Sequence, residues 1–163
     1  MNRRRMSWLL GCGLVALSGC ATPPRTSGGA SDEGPWSGRL ALQIKDRTSQ
    51  SFAAMFELRG TAESGELILT SPLGGTLAAL AWAPGSATLR SNGQTRSFPS
   101  VDALVTQATG AAIPVAALFD WLRGRNTPVP GWRANLSQLA QGRISALRYD
   151  PQPEADLRVA LDR

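Results

Sequence analysis

The chain has 163 residues, with 17 Lys and Arg against 12 Asp and Glu, two Cys and no His. The missing His excludes Ser-His-Asp and Cys-His catalysis and His-based metal sites. Arg3, Arg4 and Arg5 supply three of the basic residues. The rest of the chain is nearly balanced and has no basic stripe, so the charge gives no reason to expect nucleic acid.

The basic run is followed by a mostly apolar stretch, Met6 to Ser18, too short to span a bilayer comfortably. It reads as a secretory signal over residues 1–19. Leu17-Ser18-Gly19-Cys20 looks like the lipobox of bacterial lipoproteins, with Cys20 the lipid-bearing N-terminus. Ala21 follows where an Asp tends to retain such proteins at the inner membrane, which implies the outer membrane. Cys12 leaves with the signal and Cys20 is taken by lipid, so no internal disulfide is expected. Residues 20–35 are rich in Pro, Gly, Ser and Thr and read as a tether; residues 36–163 are one domain.

Trp36 to Ile44 alternates with Trp36, Leu40, Leu42 and Ile44 on one parity, a half-buried strand. Asp46 to Gln50 is a polar turn. Ser51 to Leu58 places Phe52, Ala54, Phe56 and Leu58 on one face. Gly65 to Thr70 and Thr76 to Trp82 flank the turn Ser71-Pro72-Leu73-Gly74-Gly75, which carries an apolar residue where polar ones are usual. Leu77, Ala79 and Ala81 stand opposite Ala78, Leu80 and Trp82. Both faces are apolar, so the strand needs cover on both or a cavity on one. Ser86 to Ser91 and Gln94 to Phe98 form a hairpin at Asn92-Gly93.

The period then changes. Ser100 is a candidate N-cap for a helix with Val101, Leu104, Val105 and Ala108 on its apolar side, ended by Gly110. A second helix places Pro114 at its first position and Ala117, Leu118, Trp121 and Leu122 on its apolar side, ended by Gly124. Asp120 and Arg123 read as a surface pair. Strands over Trp132 to Leu136, Ile144 to Tyr149 and Leu157 to Leu161 complete the chain, with a turn at Gly142 and another over Asp150 to Glu154. About nine strands and two helices make a mostly β, α+β plan: an unclosed antiparallel barrel, or strongly curved sheet, under a short helical lid.

No catalytic, metal or cofactor constellation is recognisable, and no enzyme is expected. Five Trp and four Phe favour apolar binding instead. Phe52, Phe56, Leu67, Leu69, Leu80 and Trp82 are candidates for a cavity wall, and Leu104, Ile113, Leu118 and Trp121 for its lid. A filled core is the alternative at this point.

The chain resembles the LolB family of outer-membrane lipoprotein receptors. The resemblance is carried by Gly38-Arg39-Leu40-Ala41, by LTSPLGG at 69–75, and by LFDWLRG at 118–124 with Trp121 and Gly124. It implies an apolar cavity for acyl chains, transfer of lipoproteins from the periplasmic carrier LolA to the outer membrane, and no ATP at this step. It also implies a membrane-insertion loop with an exposed Leu, here Pro72, Leu73 and Gly74. The implied partners are LolA, client acyl chains and outer-membrane lipids, for a monomer without nucleic acid. The family usually has a fuller C-terminal section with a final Trp, whereas this chain ends LRVALDR; a smaller barrel or thinner lid follows. Two other readings stand beside this one: a structural or assembly lipoprotein that binds another envelope protein through an edge strand, and a lipoprotein hydrolase.

Overall fold

The computed structural model describes residues 34–46 and 50–162. The signal peptide, Cys20, most of the expected tether and part of the first turn lie outside the described residues. The strands are β1 (Trp36–Lys45), β2 (Gln50–Gly60), β3 (Gly65–Thr70), β4 (Thr76–Ala83), β5 (Ser86–Ser91) and β6 (Gln94–Phe98), then β7 (Trp132–Asn135), β8 (Arg143–Arg148) and β9 (Glu154–Leu161). Two helices, α1 (Val101–Thr109) and α2 (Val115–Leu122), lie between β6 and β7.

All nine strands form one antiparallel sheet, in the order β6-β5-β4-β3-β2-β1-β9-β8-β7. The order does not close, so β6 and β7 are its two edges. The segment carrying both helices leaves one edge and re-enters at the other. A connection from edge to edge must cross a face of the sheet, which makes the helices a lid over the concave side. The expected fold class, an open barrel with a helical lid, is the one present.

Register puts the apolar parity of every strand on this concave side. Trp36 faces Leu58, Leu42 faces Phe52 and Leu157, and Leu67 faces Leu58 and Leu80. The opposite parity, with Arg39, Gln43 and Glu57, is exposed. One glycine is demanded by this pairing: a Cβ on Gly38 would lie 2.0 Å from the Ala160 carbonyl oxygen of β9. A side chain there would push the two strands apart.

Local chemistry accounts for the element ends. The Ser100 hydroxyl accepts from the Ala103 N–H at 3.1 Å, capping α1, and Gly110 ends it in the left-handed region at φ 71°. Asn92 (φ 51°) and Gly93 (φ 74°) form the hairpin turn expected of that dipeptide.

Three expectations are corrected. Pro114 occupies the N-cap position rather than the first helical one, with extended ψ. β9 begins at Glu154, three residues before Leu157. There the Gln152 side-chain oxygen accepts from the Glu154 N–H at 3.0 Å, and the buried Arg148 guanidinium donates to the Pro153 carbonyl at 2.8 and 3.2 Å. These bonds close the proline-rich turn early. Asp120 pairs not with Arg123 but with Arg125, at 2.5 Å, and with the Thr127 hydroxyl, at 2.6 Å. Arg123 instead lies over the rings of Trp36 and Phe119, 5.5 Å from each centroid.

Candidate functional site: an apolar cavity beside an exposed leucine

The concave side is only partly filled. At one end Phe119 of α2 packs edge-on against Trp36 (5.6 Å between centroids) and Trp82 (6.3 Å), and all three are buried. The Trp82 indole N–H donates to the Thr61 carbonyl at 3.0 Å, which fixes the ring. This aromatic cluster forms the closed end.

Above it lies an apolar cavity of about 560 Å³. β1 to β6 and β9 form its wall, and α1, α2 and their connection form its roof. Eight of the ten expected residues line it: Phe52, Phe56, Leu67, Leu69, Leu80, Trp82, Ile113 and Leu118. Leu104 and Trp121 do not. Leu104 is completely buried (0% exposed) on α1, which packs against β5 and β6. Trp121 is 1% exposed and turned towards Trp132, 6.3 Å away, with its indole N–H donating to the Thr127 carbonyl. Both helices are apolar on more than one side, and these two side chains serve packing rather than the cavity.

Two of the further lining residues break the simple pattern. Leu77 is the first. The β3–β4 ladder shifts register so that Leu69 faces Ala78 while Thr70 faces Thr76. Leu77 is the extra residue and reaches the cavity, out of step with Ala79 and Ala81. The second is Arg96, the one charged side chain of the lining, placed there because the Asn92-Gly93 turn pairs it with Leu89. Counting three residues outward from that turn finds it.

The mouth is marked by lining residues that solvent still reaches. Phe52 is 40% exposed and Leu77 is 37% exposed, in contrast to the buried Leu58, Leu80 and Trp82 further in. The Ser71–Gly75 turn sits next to this mouth. Its Leu73 is 98% exposed. The turn is tightly bonded: the Gly74 N–H donates to the Ser71 carbonyl at 2.9 Å, the Ser71 N–H to the Gly75 carbonyl at 2.8 Å, and the Gly75 N–H to the Ser71 hydroxyl at 3.1 Å. Pro72 sets the backbone angle of the second turn position, and Gly74 takes a left-handed φ of 86°. An isolated leucine is thus held out in water on a stiff support.

The sequence model of the family described as "Outer membrane lipoprotein LolB" matches residues 35–156. The chain belongs to the LolB family. It is similar to an outer-membrane lipoprotein LolB of Cupriavidus pinatubonensis, at 34% identity over 157 residues, covering 92% of this chain and 75% of the relative. A LolB of Bordetella petrii is 39% identical over 155 residues, with 90% and 75% covered. A LolB of Cupriavidus metallidurans is 32% identical over 154 residues, with 91% and 74% covered. The LolB match takes in the cavity wall from β1 to β6, both lid helices and the Leu73 turn. Among the described residues no His, Cys, Asp and Glu cluster could hold a metal, and no helix is long and apolar enough to cross a membrane.

Proposed function

We propose that this LolB-family chain is an outer-membrane lipoprotein receptor. Anchored through lipid on Cys20 and the tether of residues 20–35, its domain at 36–163 takes lipoproteins from the carrier LolA. It holds client acyl chains in the cavity, releases them beside Leu73 and places them in the outer membrane. The observation that carries this reading is the shared position of the cavity mouth and the exposed leucine.

The energetics favour such a route. Each methylene removed from water contributes about 0.8 kcal/mol, in the cavity or in the bilayer. A chain that leaves the mouth directly into lipid never exposes that surface to water, so transfer runs on the difference between two apolar environments. Leu73 gains roughly 1.5–3 kcal/mol on entering lipid, and the bonded turn loses little freedom in doing so. No step requires a nucleotide or a catalytic group.

Capacity follows from volume. At roughly 30 Å³ per water- or methylene-sized group, the cavity holds about 19 such groups. That is one long acyl chain. Further chains of a triacylated client stay outside this closed form or displace the lid.

The test is transfer in solution. The chain from residue 20 with Cys20→Ala is incubated with client-loaded LolA. A one-to-one complex with the client, drawn off the carrier, is expected; a client that stays on LolA contradicts the reading.

A further inference from the structure

The outer face of the sheet carries a feature that cavity and turn leave unused. A groove of about 780 Å³ runs along it, with Pro72 of the Leu73 turn on its rim. Its lining contains Arg39, Arg143 and Arg158 and no carboxylate. Register brings the charges together. Arg39 of β1 and Arg143 of β8 both face Ala160 of β9, so their backbones are two strand spacings apart, about 10 Å. Arg158 lies two residues from Ala160 on the same face. It is held by Asp156 at 2.8 Å. Arg39 and Arg143 are exposed and make no ion pair with the described residues.

Two arginines on backbones about 10 Å apart, with no ion-pair partner among the described residues, add a like-charge repulsion that strand pairing does not need. A phosphate between them relieves the repulsion through the paired N–H donors that guanidinium offers. The row also continues to the membrane-facing turn. Arg39 faces Met55 of β2, which is 37% exposed, and Met55 faces Thr70, the last strand residue before Ser71.

We infer that this groove binds the phosphate groups of anionic lipids at the bilayer surface, and so aims the Leu73 turn into the membrane. The inference rests on the membrane role proposed for that turn. Charge complementarity selects the occupant: the lining offers cations, half-exposed Met55 and a proline, which suits a lipid surface with phosphate above and apolar chain below. Each arginine near an anionic surface raises binding roughly fivefold, so the pair is worth on the order of 25-fold. Added salt shrinks this gain, because the Debye length is about 8 Å at 0.15 M.

The experiment measures binding of the unloaded chain from residue 20, with Cys20→Ala, to vesicles of phosphatidylcholine with and without phosphatidylglycerol. The described core runs from Trp36 to Val159, so removing the signal takes nothing from it. The unmodified groove should prefer the anionic vesicles, and the preference should vanish in Arg39→Gln/Arg143→Gln and persist in Arg39→Lys/Arg143→Lys. Equal binding to both vesicles, or a preference that survives the glutamines, overturns the inference; equal binding together with capture of an acidic protein would assign the groove to that partner instead. Client uptake from LolA in solution is measured on the same variants. A loss of lipid preference with intact uptake is the expected result for the glutamines, whereas failed uptake by the unsubstituted groove sinks the receptor reading and leaves the lipid result standing.

Discussion

Leu73 and Leu77 stand four residues apart on one hairpin, the first 98% exposed at the turn and the second in the cavity wall at its mouth. The register shift at Leu77 makes this possible. Without the extra residue Leu77 would share the outer face with Ala79 and Ala81, and the rim would lose one of its two exposed apolar residues.

Leu73→Glu separates uptake from delivery. The side chain touches no core, so the thermal midpoint and the uptake of client should match the parent. Delivery to liposomes should fall by roughly ten- to a hundredfold, the worth of burying one leucine. Unchanged delivery removes the role assigned to the turn.

Ala78→Phe tests the cavity from inside. Ala78 faces Leu69 and lines the wall. A phenyl ring fills roughly 180 Å³ of the 560 Å³ at about 30 Å³ per carbon. An acyl chain then leaves about six methylenes unburied, at about 0.8 kcal/mol each, and client affinity should drop at least about a hundredfold. Titration with a labelled client against the parent reads this out; equal affinity argues against acyl burial here.

Gly38→Ala tests the sheet. The new Cβ meets the Ala160 carbonyl oxygen at 2.0 Å, so β1 and β9 must separate where the two halves of the sheet are joined. A loss of about 3 kcal/mol in urea unfolding is expected. Phe119→Ala, at the closed end, should cost about 3–5 kcal/mol by leaving a hole between Trp36 and Trp82.

These variants also mark how far the amino-acid pattern reaches. Period-two alternation and the Asn92-Gly93 turn placed the strands and their inward faces, because each strand has one dry side. The same pattern could not assign Leu77, since a bulge shows in pairing and not in composition. It could not separate Leu118, which lines the cavity, from Trp121, which packs on Trp132. α2 reads VAALFDWL and is apolar nearly all round, so its moment does not say which side faces a void. Arg148 is hidden for another reason: a buried arginine satisfied by the Pro153 carbonyl has no sequence signature. The Pro72-Leu73-Gly74 turn was legible because a leucine in a proline–glycine turn has no packing reason to be there.

Asp120 gives the fold an acid-sensitive element. The Thr127 hydroxyl and then the Arg125 guanidinium hold its carboxyl below the usual value of 3.8. A depressed native pKa adds stability above the unfolded value and loses it as pH falls through the native one. The parent should therefore be more stable than Asp120→Asn at neutral pH, and the gap should narrow below about pH 4. Thermal midpoints of both chains between neutral and acid pH check this; a gap independent of pH contradicts it.

Crosslinking shows whether client acyl chains occupy the cavity under the lid. A photoreactive amino acid replaces Leu118 in the lid or Ala81 on the outer face, away from the arginine groove, and each variant receives a lipoprotein with labelled acyl chains from LolA. Label is expected on the Leu118 variant and none on the Ala81 variant. Label on both alike, or on Ala81 alone after confirmed transfer, would contradict acyl burial in the cavity.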